Sequence, residues 1–414
     1  MWYKLFSNQA PIPRGPLALR QIIRSHRGMR TTLGLSLLAL CMLSIGPPTN
    51  ATDAPKSNYL VFVGTYTEKE SKGIYVYRLD AASGQLTALG LAAETTNPSF
   101  LAVDPSRHFL YAVNELPKYK GQASGAVSAF AIDRQTGKLS QLNEVASRGA
   151  DPCYIALDKT GKHVLVANYT GGSVAVFPVL KDGRLGEASA FVQHAGSGPN
   201  RERQEGPHAH WIEVTANNRF AIAADLGLDK VMVYRFDPKT GSLTPNNPAF
   251  AKVDPGAGPR HAAFHPNGRF AYVINELHSS ITNFSYDAGR GELNTLQTVS
   301  TLPKDFSGSN DTAEIQVHPN GKFLFASNRG HDSIAVFSID QHKGRLTLVD
   351  HFSTQGKTPR NFEIDPSGSR LFVANQGSGN IVVFRIDQET GRLTSTGQVL
   401  NVPSPVCVKF VAIE

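Results

Sequence analysis

Seven copies of one short segment constrain the fold of this 414-residue chain more than any other feature. The first copy, GIYVYRLDAASGQLT, begins at Gly73, and the last, GNIVVFRIDQETGRLT, begins at Gly379. Each copy has the pattern of an alternating apolar strand, a polar turn that closes on Gly, and the start of another strand, usually Leu-Thr. The other copies begin at Gly125, Gly172, Asp229, Ser279 and Asp332. Their spacing of roughly 45 to 57 residues is the period of a repeat architecture.

A second recurring segment lies between these copies and adds two strands to each unit. It reads NPSFLAVDP, DPCYIALDK, GPRHAAFHP and TPRNFEIDP in four of the units, and an aromatic-rich strand such as RFAYVIN follows it. Four short antiparallel strands per unit, with no amphipathic helix of useful length, are typical of a β-propeller blade. The sequence therefore predicts an all-β, seven-bladed β-propeller. The Trp-Asp dipeptide is absent from the sequence, which excludes the WD40 class.

The two ends of the repeat region hold complementary half-units. PSPVCVKFV, at 403–411, matches a lone first strand, and NYLVFVGTY, at 58–66, matches a lone second strand. Pairing them would build the last blade from the N- and C-terminal strands and close the ring without a free edge. We therefore predict a propeller domain over residues 55–414.

Residues 1–54 have the composition of an export leader. A positive charge at Arg30 precedes an apolar run at 33–45, and two prolines and several small residues follow it. These are the three zones of a signal peptide, and about 13 apolar residues are too few to anchor a chain in a bilayer. We predict an exported protein, periplasmic or secreted, with Met29 as a possible true start. The alternative is a disordered N-terminal extension.

Charge and cysteine content limit the classes of partner. The leader holds six of the 41 basic residues and one of the 34 acidic residues, so the remaining chain is close to neutral. A near-neutral domain gives no electrostatic reason to expect nucleic acid or an anionic membrane surface as a partner. Cys153 and Cys407 fall in repeats that are not neighbours, so no disulfide is expected. We expect a monomer without a cofactor and without a membrane anchor.

Equivalent positions of the seven repeats form rings about the propeller axis, where one repeat can differ without damage to the core. Two such rings are expected to line the channel. One ring position follows the Pro of the first strand in six of the seven units, and its residues are Ser99, Cys153, His208, Arg260, Ala313, Arg360 and Val406. The residues that end the second strand are Thr65, Glu115, Tyr169, Leu226, Glu276, Arg329 and Gln376.

The charged members of these rings concentrate in units three to six. Three arginines in one sector would repel one another without an anionic partner. We therefore predict a functional site there, with Arg260 and Arg360 as substrate-binding residues. Glu115, in a unit without arginines, is expected to lie outside the site.

The segment EGPHAHWIEV adds two histidines to this sector, His208 and His210, which lie two residues apart on the same side of a strand. Together with Glu205 they suggest a metal site, but the neighbouring arginines disfavour a cation. We expect no metal.

Four segments carry a resemblance to a known family: GPHAH, GAGPRHAAFHPNGRFAYVINEL, AEIQVHPNGKFLFASNRG and TPRNFEIDPSG. They resemble the seven-bladed lactonases, which include propeller-type 6-phosphogluconolactonase and fungal carboxymuconate cyclase, and the similarity covers residues 58–414. The resemblance implies a site that uses His208 or His210 together with Arg260, Glu276 and Arg329.

The resemblance also implies a reaction, the opening of a sugar lactone in the channel. Arginines would bind an anionic group of the substrate, Glu276 or a histidine would activate water as a general base, and an arginine or a histidine would stabilise the oxyanion. Two alternatives remain open, a lactonising cyclase of the carboxymuconate type and a propeller that binds a ligand without turnover. Export favours an unphosphorylated lactone, because phosphorylated gluconolactone is a cytosolic metabolite.

The leader generates the first testable prediction. N-terminal sequencing of the purified mature protein should find a start between residues 51 and 56, because the small residues there suit a signal peptidase. Retention of Met1 in a cytoplasmic fraction would contradict the export prediction.

Overall fold

The computed structural model describes residues 58–67 and 70–413, so the predicted leader lies outside the described residues. Within these ranges the chain forms 28 strands and one 3₁₀ helix, Leu226–Leu228. The strands build seven four-stranded antiparallel sheets, which confirms the predicted all-β, seven-bladed propeller. None of the helical segments in this part of the chain has the length and apolar character of a bilayer-spanning helix.

The first half of the described chain contains β1 to β15. The three N-terminal strands are β1 (Asn58–Thr65), β2 (Gly73–Leu79) and β3 (Leu86–Glu94). Blade 1 contains β4 (Leu101–Val103), β5 (Phe109–Asn114), β6 (Ala126–Ile132) and β7 (Leu139–Ala146). Blade 2 contains β8 (Pro152–Leu157), β9 (His163–Asn168), β10 (Ser173–Pro178) and β11 (Ala190–Gln193). Blade 3 contains β12 (Ala209–Val214), β13 (Phe220–Asp225), β14 (Lys230–Phe236) and β15 (Leu243–Lys252).

The second half completes the ring. Blade 4 contains β16 (Pro259–Phe264), β17 (Phe270–Asn275), β18 (Ser280–Asp287) and β19 (Glu292–Ser300). Blade 5 contains β20 (Asp311–Val317), β21 (Phe323–Arg329), β22 (Ser333–Ile339) and β23 (Leu346–Ser353). Blade 6 contains β24 (Pro359–Ile364), β25 (Arg370–Asn375), β26 (Asn380–Ile386) and β27 (Leu393–Asn401). Blade 7 combines β28 (Pro405–Ile413) with the three N-terminal strands in the order β28-β1-β2-β3.

Blade 7 confirms the predicted closure by both ends of the chain. β1 pairs antiparallel with β28 from Asn58↔Ile413 to Thr65↔Pro405, and its other edge pairs with β2. The first strands of the seven blades contact one another in turn and form a closed inner ring. The backbone groups of β1 are thus satisfied on both sides.

Burial decreases from the axis to the rim of each blade. Every residue of the second strands β9, β13 and β17 is buried, whereas the fourth strands β11 and β15 are largely exposed or half-buried. The second strands are covered on both faces by neighbouring blades, which explains why they read as nearly continuous apolar runs. Substitutions that leave the packing of the second strands intact are therefore confined to the ends of these strands, at the channel.

A β-bulge near the start of several innermost strands supplies one extra residue per strand. The extra residue is Cys153 in blade 2, His210 in blade 3, Arg260 in blade 4 and Arg360 in blade 6. Such bulges re-aim a side chain without breaking the rest of the ladder. The register corrects the alignment of the repeats. Ala209 pairs with the last residue of the second strand, as Pro259 does in blade 4, so His210 is the equivalent of Arg260.

The closure generates the second prediction. Deleting residues 58–66 should prevent stable folding, because β28 and β2 would each lose a partner strand and the ring would open. Thermal unfolding of the deletion variant measures the effect, and a variant that lacks only residues 1–54 is the control with an unchanged midpoint. A deletion variant with the same midpoint as the control would contradict the account of the closure.

Candidate active site

Glu276, directly after β17, is the centre of a charged cluster at one end of the channel. Its Oε2 accepts a hydrogen bond from Nε of Arg260 at 2.8 Å and lies 3.0 Å from Nη2 of Arg329. Its Oε1 accepts a hydrogen bond from Nη2 of Arg203 at 2.5 Å. Burial raises the pKa of Glu276, but the charges of these three arginines outweigh burial and lower it to about 2. Glu276 is therefore ionised at any physiological pH.

The structure supplies part of the anionic partner that the arginines were expected to need, because Glu276 pairs with Arg260 and Arg329. Arg260 is 2% exposed, and its guanidinium is bonded to Glu276 and, through Nη1, to the carbonyl of Ala313 at 2.8 Å. Arg360 lies over the ring of Tyr66, 5.5 Å from its centroid, and lines a small cavity with Glu115. Arg260 is thus paired within the protein, while burial and the charges of Arg360 and Arg329 lower its pKa to about 10.

Glu115 is the acidic partner that the sequence analysis placed outside the site. The Tyr66 hydroxyl donates to its two carboxylate oxygens at 3.0 and 2.9 Å. Glu115, Arg360 and Arg260 line the same small cavity. The expectation was wrong because the closed ring brings blade 1 within two blades of blade 6, a proximity that the linear order of the repeats hides.

His210 is buried beneath the cluster. Its Nδ1 lies 3.6 Å from Sγ of Cys153, and its ring stands edge-on to His261 with centroids 5.2 Å apart. Burial and the charge of Arg260 hold the pKa of His210 well below its ordinary value. His210 is therefore a neutral imidazole in the wall of the site.

His208 is the more accessible histidine of the pair. Its ring stacks on Tyr169 with centroids 4.6 Å apart, and its Nδ1 lies 3.1 Å from the Tyr169 carbonyl oxygen. A carbonyl only accepts hydrogen bonds, so Nδ1 carries the hydrogen. Nε2 lies 3.2 Å from Oε1 of Glu205, a carboxylate that also only accepts hydrogen bonds and whose side chain is 61% exposed.

Arg203 is the site residue that the sequence analysis missed. It lies in the connection between β11 and β12, residues 194–208, which is longer than any other blade-to-blade connection in the described chain. Its side chain is 36% exposed and donates a hydrogen bond to Glu276. The signal was present in the sequence, because the spacing between repeat copies is widest there, from Gly172 to Asp229.

The predicted site residues thus come together at one end of the channel. The His208–Tyr169 stack and the Arg203–Glu276 hydrogen bond lie side by side and form a row. The other predicted residues lie around or beneath this row: His210, Arg260, Arg329 and Arg360.

Aromatic side chains form a floor below the site. The ring of Tyr154 lies 4.2 Å from Phe100, 5.0 Å from His261 and 6.0 Å from Trp211, measured between centroids. Within residues 58–67 and 70–413, no three His, Cys, Asp or Glu side chains are grouped as a metal ion would require.

Comparison with known proteins identifies relatives of the whole propeller. The family model described as lactonase, 7-bladed beta-propeller, matches residues 60–410. The chain is 41% identical to 6-phosphogluconolactonase of Bacillus subtilis over 86% of this chain and 99% of that protein. It is 38% identical to 6-phosphogluconolactonase of Formosa agariphila over 73% of this chain and 85% of that protein.

A solved structure agrees with these relatives. The structure of the periplasmic gluconolactonase of Pseudomonas aeruginosa superimposes with a TM-score of 0.81 at 36% identity. The match covers 86% of this chain and all of the Pseudomonas chain.

Glu276 and Glu115 generate the third prediction, a pair of opposite pH dependences. The pKa of Glu276 falls from an ordinary 4.5 to about 2, so its ionised form stabilises the fold above pH 4.5. The free energy of unfolding of the wild type minus that of Glu276→Gln should fall by up to about 3 kcal/mol between pH 4.5 and 2.

Glu115 occupies the equivalent repeat position and serves as the matched control. Burial raises its pKa, so its contribution is present in acid and is lost as the pH rises. Denaturant unfolding between pH 2 and 7 measures both differences. Slopes of the same sign for the two glutamates would contradict the electrostatic description of the site.

Proposed function

The chain belongs to the lactonase family of seven-bladed β-propellers, and we propose that it hydrolyses a sugar lactone at the charged end of its channel. The observation that carries the proposal is the row formed by the His208–Tyr169 stack and the neighbouring hydrogen bond from Arg203 to Glu276. This row places an imidazole able to take up a proton beside guanidiniums that stabilise negative charge. The lactonases named above support the reaction class.

His208 is the proposed general base. Hydrolysis requires a base that removes a proton from water as the water attacks the lactone carbonyl. Nδ1 of His208 is committed to the Tyr169 carbonyl, and we propose that the attacking water takes the place of the exposed Glu205 carboxylate beside Nε2, which then accepts the proton. Glu276 suits this role less well, because the three guanidiniums lower its pKa to about 2 and so make its carboxylate a weak base.

Arg329 and Arg203 are the proposed donors to the oxyanion. Nε of Arg329 is a buried N–H without a hydrogen-bond partner among the described residues, and the side chain as a whole is 13% exposed. Arg203 is the most exposed of the three guanidiniums on Glu276. Glu276 holds both donors before substrate arrives, which is the preorganisation that lowers a charged transition state.

The tetrahedral intermediate then collapses. The bond between the carbonyl carbon and the ring oxygen breaks, and the His208 imidazolium returns its proton to the departing oxygen. The product is an open-chain hydroxy acid, and His208 is neutral again.

Arg260 and Arg360 are proposed to act on protein carboxylates rather than on substrate. Arg260 fixes Glu276 from below, and Arg360 lies in the same small cavity as Glu115. Because Arg260 is already paired and the leader implies export, an unphosphorylated sugar lactone is the proposed substrate class. Export of the mature chain as a monomer is part of the same proposal, and the leader and the periplasmic Pseudomonas relative support the export.

The fourth prediction tests the base. His208→Gln should lower kcat about a hundredfold or more, because glutamine cannot take up the proton from water. Steady-state kinetics and thermal unfolding, compared with His210→Gln, measure the effect. If His210→Gln lowers kcat as much as His208→Gln at an unchanged thermal midpoint, His208 is not the base.

The fifth prediction concerns the substrate. Purified protein should hydrolyse free gluconolactone with a higher kcat/KM than its 6-phosphate, and it should not convert carboxymuconate. Conversion of carboxymuconate alone would support the cyclase, and binding of a lactone without turnover would support a binding protein. Either result would overturn the proposed hydrolase.

A further inference from the structure

Asp225, the last residue of β13, contacts both ends of the connection 194–208, named here the 2–3 connection. Its Oδ2 lies 2.5 Å from Nδ1 of His194, the first residue of this connection. Its Oδ1 accepts a hydrogen bond at 2.8 Å from the backbone N–H of His208, the last residue. One buried carboxylate therefore joins the two ends of the loop that carries Arg203 and His208 into the site.

Tyr234, on β14, completes this arrangement. Its hydroxyl oxygen lies 2.7 Å from Nε2 of His194, and the whole group is buried. Burial and the charge of Asp225 raise the pKa of Tyr234, so the hydroxyl stays protonated and donates to Nε2. Nδ1 of His194 then carries the hydrogen and donates to Asp225.

The other blades show why blade 3 carries an aspartate here. The equivalent second-strand residues are Asn114, Asn168, Asn275, Asn328 and Asn375. In blades 2 and 6 the amide nitrogen of this asparagine donates to a backbone carbonyl of the preceding connection, at Ser147 and Thr354. In blade 3 the approaching groups, His194 Nδ1–H and His208 N–H, are both donors, so a residue that only accepts replaces the amide.

A second contact fixes the middle of the 2–3 connection. The side-chain amide of Gln204 donates to the Leu226 carbonyl at 2.8 Å and to Asp229 at 2.7 Å. Gln204 is fully buried and directly follows Arg203 in the chain. The orientation of the half-exposed Arg203 side chain is therefore set by buried polar contacts on either side of it.

We propose that Asp225, together with His194 and Tyr234, is a positioning group that holds the 2–3 connection so that His208 and Arg203 reach the substrate. This inference rests on the proposed function, because Asp225 has no contact with the reacting atoms. It predicts that loss of the carboxylate frees the connection and impairs turnover while the propeller remains folded.

Asp225→Asn tests the proposal with two readouts. The variant leaves one of the two donors without an acceptor, so trypsin should cut after Arg201 or Arg203 at least tenfold faster, as mapped by mass spectrometry. Its kcat on free gluconolactone should fall at least tenfold. The control is Asp158→Asn, which removes a carboxylate that is equally buried but binds backbone N–H groups in a turn of blade 2. Its cleavage and kcat should match the wild type.

Tyr234→Phe is the second variant, in case Asp225→Asn does not fold. It removes only a hydroxyl. Its control is Tyr272→Phe in blade 4, which loses the buried hydrogen bond from the Tyr272 hydroxyl to the Gly344 carbonyl. Tyr234→Phe should increase cleavage and lower kcat severalfold, and Tyr272→Phe should change neither.

If both test variants keep the wild-type cleavage rate and the wild-type kcat, the proposal is overturned. It is also overturned if the connection is cleaved faster while kcat is unchanged. If the wild-type protein hydrolyses no lactone but Asp225→Asn is cleaved faster than the wild type, the result would support the structural role of Asp225 and would refute the proposed hydrolase.

Discussion

The antiparallel pairing of β1 with β28 closes the ring on which the other features of this propeller depend. A propeller blade covers its neighbours, so an open ring would expose a blade face and leave strand edges unpaired. Closure also determines which side chains meet at the axis. It places Tyr66, at the end of the closing strand, between Glu115 of blade 1 and Arg360 of blade 6.

The charges at the channel end are balanced in part within the protein. Glu276 takes hydrogen bonds or ion pairs from Arg203, Arg260 and Arg329, and Glu115 lies with Arg360 and Tyr66. Removing one partner of such a group leaves a buried charge uncompensated, which is costly. The arrangement holds guanidinium donors at fixed positions before the substrate arrives, which suits a neutral ester that becomes negative only during the reaction.

The fold could be predicted from the sequence because the repeats determine strand number, strand order and closure together. Ring positions also located Glu276, Arg260, Arg329 and His210, since equivalent positions in a repeat protein have equivalent places in space. Spatial relations that the linear order does not contain were missed or misread. Arg203 lies in an insertion outside the repeat, Glu115 becomes a neighbour of Arg360 only when the ring closes, and the bulge shifts the register that relates His208 to His210.

A structure with gluconate, the expected product, bound to the wild-type protein tests the central claim most directly. The account predicts gluconate at the charged end of the channel, with its carboxylate about 3 Å from Nε of Arg329 and within hydrogen-bond reach of Nε2 of His208. Gluconate bound at the opposite end of the channel, or bound without contact to either side chain, would contradict it.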